Sequence, residues 1–465
     1  MLHVSGTQLV TEDDAPVRLR GVGLGGWMNM ENFITGYPAN ESAMRQAVRG
    51  VLGDDRAELF FDRLLTSFFT ERDADLLAEL GMNCVRIPVN YRHWESDDRP
   101  MEIDPRGFRH LDRVIGLLGE RGIYSVIDLH ALPGSQNQHW HSDNPTHVAA
   151  FWQHRHFQDR AVHLWEVIAD HYRENPWVAG YNPVNEPGDV SGKVIGPFYD
   201  RLVKAIRAAD PKHVLFLDGN TYATDFSIFR EVYENTVFVL HDYALAGFAH
   251  GGPYPGYTRG EWCDRDELER TFAKRSRFQR ETGTPLWVGE FGPVYTGDPE
   301  VDGQRYQILR DQLAIYDAQD VGWSLWTYKD VGLQGLVHAS GGVPGPVRRR
   351  HRQEAAARRG PLGLHHGGGG RRAGSAAHAH RGRVLRLGPL PVGRPLPDGR
   401  PDQAHPDGAG AAAGVRRALP RAERRRAGRA GRLVPAGAVR TQGAAARPAV
   451  REPPGLSRCG IVGWI

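Results

Sequence analysis

Cysteine is scarce: Cys84, Cys263 and Cys459 stand far apart in 465 residues with no Cys-x-x-Cys spacing. That argues against both a disulfide framework and a zinc site built on thiolates, and a reducing compartment is the simplest expectation. No stretch approaches the ~20 consecutive apolar residues that a membrane-spanning helix needs. The 56 glycines show no three-residue period, which excludes a collagen. The opening residues, Met1-Leu2-His3-Val4-Ser5-Gly6, offer no basic n-region and no apolar h-region, so the expected location is cytoplasmic. A further absence divides the chain. Residues 341–465 contain no Lys, Phe, Tyr, Asn or Met and a single Trp, Trp464. They hold 25 Arg against six acidic residues, a net +19, so the formal +3 of the whole chain leaves −16 on residues 1–340. The basic overall balance describes neither part.

An Arg, Gly, Ala and Pro tract of this kind cannot bury enough apolar surface to offset its ordering entropy, and it is expected to stay disordered. Basic surfaces that read nucleic acid interleave aromatics. This tract offers only Trp464, so no nucleic-acid partner is expected, nor a membrane or an obligatory protein partner. The missing residue types have A/T-rich codons, whereas the abundant ones are what GC-rich DNA yields when read out of frame. The expectation is a frame change near 341–346, with a genuine disordered basic tail as the alternative, and in either case 1–340 as one domain and 341–465 without a fold; an uninterrupted frame in the DNA across those codons would overturn the frame change.

Within 1–340, a hairpin inside residues 1–18, turning at Glu12-Asp13-Asp14, precedes short apolar runs that alternate with longer amphipathic stretches. That is the pattern of repeated βα units on a parallel sheet. Strands are expected at 19–22, 84–89, 124–129, 178–183, 214–217, 237–240, 286–288 and 323–326. Helices are expected at 71–80, 108–121, 157–172, 196–209, 228–233, 266–282 and 303–319. In the second of these, Leu111, Val114, Ile115 and Leu118 fall at helical spacing and give one face to pack on the sheet. Eight such strands fit an α/β fold, a (β/α)8 TIM barrel with an insertion at 32–70 after the first strand. The eighth helix should begin where the composition breaks, so the barrel is expected to lack a proper last helix and to be followed by the disordered basic tail.

Barrels of this type place their chemistry where strands end at the C-terminal side. The second strand runs Val85-Arg86-Ile87-Pro88 and puts a guanidinium among apolar residues. The third ends Asp128-Leu129-His130, the fourth Asn182-Pro183-Val184-Asn185-Glu186-Pro187, the sixth His241-Asp242-Tyr243, the seventh Gly289-Glu290-Phe291-Gly292 and the eighth Leu325-Trp326. Glu186 and Glu290, 104 residues apart, thus project into one mouth. A carboxylate pair over one cleft is the requirement of glycosidic bond hydrolysis: one is protonated to serve the leaving oxygen, the other ionised to attack or support the anomeric carbon. Close like charges push their pKa values apart, and a neighbouring cation fixes which stays ionised. Arg86 is the candidate for that cation, favouring ionised Glu290, with Tyr243 donating a hydrogen bond to it. His130 and His241 would position sugar or carboxyl groups, and Asn185 could donate to a sugar 2-hydroxyl. Trp326 and Trp27 offer flat apolar faces for a pyranose ring. Trp152 and Trp165 fall in helical pattern and read as core.

Two other patterns carry less. His139, His141, His147, His154 and His156 crowd the third loop, but His-x-His without a nearby carboxylate or Cys is a weak metal signal, and no metal is expected. Gly21-x-Gly23-x-x-Gly26 formally matches a dinucleotide loop, yet no convincing helix follows it, so no cofactor is expected.

Taken in order, Val85-Arg86-Ile87-Pro88, His130, Asn185-Glu186-Pro187, His241-x-Tyr243, Gly289-Glu290-Phe291-Gly292 and Trp326 resemble the signature of glycoside hydrolase family 5 across residues 18–330. That is the cellulase-like group of retaining β-glycosidases on (β/α)8 barrels. The resemblance implies Glu186 as acid/base and Glu290 as nucleophile, with Arg86, His130, Asn185, His241, Tyr243 and Trp326 supporting them. Arg20-Gly21-Val22-Gly23-Leu24-Gly25-Gly26-Trp27 and the run from Asp128 to Asn137 resemble its exo-β-1,3-glucanase branch. Met28-Asn29-Met30-Glu31-Asn32 and Gln138-His139-Trp140-His141 depart from that branch. The expected activity is therefore hydrolysis of short β-glucosides (β-1,3 or β-1,4), with a β-mannoside as the alternative. From another class, a catalytically inactive sugar-binding barrel or a misfolded frame-shifted product is the rival.

Overall fold

Eight apolar runs, each too short for a helix to bury, pair edge to edge until no edge is left. The computed structural model describes residues 1–338. The expectations for 341–465, the frame change, Cys459 and the eighth helix lie outside the described residues.

The strands are β1 (Arg20–Gly23), β2 (Cys84–Asn90), β3 (Tyr124–Ala131), β4 (Val178–Asn182), β5 (Val214–Asp218), β6 (Thr236–His241), β7 (Leu286–Phe291) and β8 (Gly322–Leu325). All neighbours are parallel, and β8 closes the ring between β7 and β1 through Trp287↔Gly322 and Trp323↔Arg20. Each expected strand is present with its ends moved by at most three residues, the largest change being the extension of the seventh from 288 to Phe291. Closure is made entirely within the described residues. The main apolar core lies between the barrel and its helices, as in Phe108–Gly119, where Leu111, Val114, Ile115 and Leu118 are all buried. Trp152 and Trp165 join that core.

The N-terminal residues form a three-stranded antiparallel sheet (His3–Ser5, Gln8–Val10, Pro16–Val17) rather than one hairpin. The expected turn is there, with Asp14 N–H donating to Thr11 O, but an earlier turn at Gly6 divides the first arm. This sheet covers the bottom of the barrel, where Leu2 and Leu9 cluster with Leu19, Val126, Val214 and Trp287.

Two helical expectations fail for physical reasons. Residues 228–233 are irregular. Phe229 instead joins an aromatic cluster with Phe226, Phe238 and Phe278. The 266–282 helix is two, Arg265–Arg275 and Arg277–Thr282, broken at Ser276, whose hydroxyl donates back to Phe272 O at 2.7 Å.

The insertion folds as helices Glu41–Leu52 and Asp54–Phe68 after a short turn of helix at Asn32–Thr35. Asp143, in the loop after β3, ties the insertion to the barrel mouth. Its carboxylate accepts from Asn40 Nδ2 (2.5 Å), Ser42 N (2.8 Å) and Oγ, Asn90 Nδ2 (3.3 Å) and Arg92 Nε (3.0 Å). The dinucleotide-like glycines are packing devices. A Cβ on Gly23 would stand 2.7 Å from the Trp326 ring, and one on Gly26 would overlap Ile34 Cγ2.

Candidate active site

A fully buried guanidinium organises the barrel mouth. Arg86, within β2, is 0% exposed and must be compensated where it sits. Its Nη1 lies 2.5 Å from Glu290 Oε1, and its Nη2 lies 3.2 Å from Asp128 Oδ2 and 2.6 Å from Asn185 Oδ1. Asn182 Oδ1 takes both Nε (3.1 Å) and Nη2 (2.9 Å). Asn182, the last residue of β4, in turn donates to Asp218 Oδ1 at 2.9 Å, and Asp218 Oδ2 accepts the backbone N–H of Glu186 at 2.9 Å. One polar chain thus sets the guanidinium and the Glu186 backbone in fixed relation.

Glu290 is delivered by β7, where the pairing with β6 slips between Val288 and Glu290. Such irregularities re-aim a side chain at a barrel rim. Its Oε2 accepts the Tyr243 hydroxyl at 2.8 Å. Glu186 follows β4 with φ 45°, a left-handed conformation that a glutamate adopts only when its surroundings enforce it. Asp218 holds its N–H, and Asn137 Nδ2 holds its carbonyl at 3.0 Å. The two ends of its carboxylate meet histidines: His241 Nδ1 at 2.6 Å from Oε1, and His141 Nε2 at 3.1 Å from Oε2. Glu186 and Glu290 bring carboxylate oxygens within 4.8 Å of each other.

Burial pushes the Glu186 carboxyl up, but His141 and His241 outweigh it and hold it well below the usual range. Burial would lower His141, yet Glu186, then Glu31 and Glu290, raise it to about 9. His241 is raised by Glu290, Glu186 and Asp218 against the same burial. His130 behaves oppositely: desolvation dominates and keeps its imidazole neutral, well below its ordinary value. Its Nδ1 lies 2.7 Å from Asp128 Oδ2, leaving Nε2 to accept from Asn185 Nδ2 at 3.3 Å. Burial raises Asp128 to about 7, with Arg86 opposing.

The structure brings all eight residues expected from the sequence into one cluster: Arg86, His130, Asn185, Glu186, His241, Tyr243, Glu290 and Trp326. Trp326 stacks on His130 with ring centroids 5.3 Å apart and an interplanar angle of 4°. Trp27 does not belong. It is fully buried, and its indole N–H donates to Leu65 O at 2.8 Å, which makes it a core bolt to the insertion rather than a sugar platform.

Besides Asp218 in the polar chain above, two residues at the mouth escaped the sequence reading of the site. Glu31 sits just before the short Asn32–Thr35 helix, buried, with Oε1 3.6 Å from His130 Nε2 and no hydrogen-bond partner. Burial pushes it up to about 8; His141 opposes this, while Glu290 and Glu186 add to it. His141 lay in the histidine run weighed only for metal. The signal for both was present, since they occupy the two runs that depart from the exo-glucanase pattern. None of His139, His147, His154 or His156 joins a group of three ligating atoms among the described residues. Glu186, His241 and Glu290 do approach one another that closely, with His241 Nδ1 2.6 Å from Glu186 Oε1 and Arg86 Nη1 2.5 Å from Glu290 Oε1.

A comparison with known proteins gives the same family. The model of the cellulase family (glycosyl hydrolase family 5) matches residues 61–330. A protein named beta-xylosidase from Phanerodontia chrysosporium is 50% identical over 353 residues, 74% of each chain. A probable glucan 1,3-beta-glucosidase A from Neosartorya fischeri is 28% identical over 375 residues, 71% of this chain and 88% of that one. Among solved structures, a rutinosidase from Aspergillus niger shares the fold, with a TM-score of 0.52 at 18% identity over 70% of this chain and 93% of that one. With its closed eight-stranded parallel barrel and this match, the chain belongs to glycosyl hydrolase family 5.

Proposed function

We propose that this glycoside hydrolase is a retaining β-glycosidase acting by double displacement on short β-linked glycosides whose terminal sugar has the gluco or xylo configuration. The observation that carries the reading is the approach of the Glu186 and Glu290 oxygens within 4.8 Å. Retaining enzymes hold their carboxyls at ~5–5.5 Å, whereas inverting ones need ~6.5–9.5 Å to admit a water. Arg86 and Tyr243 hold Glu290 by one oxygen each, which suits an ionised nucleophile of fixed orientation.

In the first step Glu290 forms a bond to the anomeric carbon as the bond to the leaving oxygen breaks, and Glu186 gives that oxygen its proton. In the second, Glu186 takes a proton from water, the water oxygen bonds to the anomeric carbon, and Glu290 departs. Arg86 fixes the Asn185 amide through Oδ1 at 2.6 Å, and Nδ2, which makes only a long 3.3 Å bond to His130, is the donor available to a sugar 2-hydroxyl.

Glucose and xylose share equatorial hydroxyls at C2, C3 and C4 and differ only by the C5 hydroxymethyl group. The relatives named for a xylosidase and for glucan 1,3-beta-glucosidases are consistent with such a site. Hydrolysis of aryl β-xyloside, β-glucoside and β-mannoside by this chain and by Glu290→Ala tests it. Turnover of the first or second, lost in the variant, supports the reading. Turnover of the mannoside alone, or an equally active variant, overturns it.

A further inference from the structure

Glu186 must be protonated when the leaving oxygen departs, yet in the resting site it faces two imidazoles that hold it as a carboxylate. The proton it delivers has to be stored beside it. His141 and its surroundings have the form of that store. Its Nε2 lies 3.1 Å from Glu186 Oε2 and 2.8 Å from Asn137 Nδ2. The orientation of the Asn137 amide is fixed, because Oδ1 accepts His139 N–H at 2.9 Å and Nδ2 donates to Glu186 O at 3.0 Å. Asn137 therefore turns an N–H toward His141 Nε2, and that nitrogen has two alternative partners. Protonated, it donates to the Glu186 carboxylate. Unprotonated, it accepts from Asn137, and Glu186 holds the proton.

We infer that His141 is the proton partner of Glu186, the pair holding one proton that rests on the imidazole and moves to the carboxyl when a leaving oxygen is presented. The step balances. The N–H bond at His141 Nε2 breaks, an O–H bond forms on Glu186, and that proton passes to the leaving oxygen. In the second half-reaction the proton Glu186 takes from water returns to His141. His141 acts through Glu186 and is a positioning residue in this scheme, which rests on the acid/base role proposed above.

The other groups facing His141 favour the stored proton. Glu290 adds negative charge from β7, and Glu31 adds it from beyond β1 once the pH passes its raised value of about 8, while neutral His130, from β3, presents its ring edge-on at 5.5 Å. His139 stacks against it at 5.7 Å and 20°. His241 contacts the opposite end of the Glu186 carboxylate, 3.6 Å from Glu290 Oε2, and is tied to both carboxylates rather than to one. The Asp143 anchor, two residues on, keeps the loop in register.

The test is the pH profile of kcat/KM for the full chain and its His141→Asn variant on two aryl β-glycosides. One has a leaving group acidic enough to need no protonation, the other a poor one. A coupled pair loses its last proton at a higher pH than the carboxyl alone. The variant should therefore lose the alkaline part of its profile on the poor substrate, the limb moving down by about one pH unit or more, while the activated substrate is spared. The activated substrate also reports that the variant folds. An unmoved alkaline limb, or equal loss on both substrates, overturns the inference. Glu186→Ala on the same substrates separates the two claims. If that variant shows no leaving-group dependence, the acid/base assignment falls; if it does and His141→Asn does not, only the proton partnership falls.

Discussion

Replacing Arg86 by Met should damage stability and catalysis together, and in a pH-dependent way. The side chain is completely buried, and its loss leaves Asp128 and Glu290 without their common counter-charge. Removing one partner of a buried pair costs about 3–5 kcal/mol. At roughly 2 °C per kcal/mol for a large domain, the thermal midpoint should fall by about 6–10 °C at pH 8. The penalty should shrink toward pH 5, because Asp128, already raised to about 7 with Arg86 in place, can take up a proton and shed the unpaired charge. Arg86→Lys keeps the charge but not the planar fork that reaches Asn182, Asn185 and Glu290 at once, and should fall between parent and Met variant. Calorimetry of the three proteins at pH 5 and pH 8, with kcat/KM on an activated aryl glycoside, reads both effects. A Met variant melting within about 2 °C of the parent at pH 8 would refute the view that this cation holds the mouth together.

Tyr243→Phe removes one hydrogen bond to Glu290 Oε2 and little else, so it should fold normally and lose roughly 10–100-fold in kcat/KM, the worth of a bond to a charged group. Gly289→Ala would set a methyl 2.5 Å from Val239 Cγ1 and 3.1 Å from His241 Nε2. It should lower stability by about 1–3 kcal/mol and shift His241 off Glu186, cutting turnover more than binding; an unchanged kcat would contradict this placement. Glu31, raised to about 8, contributes stability that is full below its unfolded value and is lost as pH rises through 8; His141, raised to about 9, contributes stability lost between its ordinary value and 9. Glu186 works in the opposite sense, its contribution being lost only in acid. The thermal midpoint should therefore decline from pH 6 to pH 9, and a flat or rising curve over that range would count against the buried charges described here.

The barrel and the carboxylate pair at its mouth were legible because their signals are local. Strand ends such as Asn185-Glu186-Pro187 and Gly289-Glu290-Phe291 carry their chemistry within a few residues of an apolar run, and a parallel barrel gathers all such ends at one mouth. Apart from the local break at Ser276, the failures are non-local. Nothing near Phe229 announces that Phe226, Phe238 and Phe278 will claim it from a helix. Glu31 and His141 enter the site because the 32–70 insertion and the third loop are pinned to each other at Asp143, a contact spanning about a hundred residues. The packing role of Trp27 is non-local for the same reason, since its partner, the Leu65 carbonyl, belongs to that insertion.

The central claim is that Glu290 forms a bond to the sugar. Incubating the enzyme with a 2-deoxy-2-fluoro β-glycoside of the sugar it turns over, then mapping the added mass by peptide, tests this most directly. The account predicts stoichiometric inactivation with the glycosyl group on the peptide containing Glu290, and a first-formed product of β configuration from the normal substrate. Label on any other residue, or an α-configured first product, would contradict it.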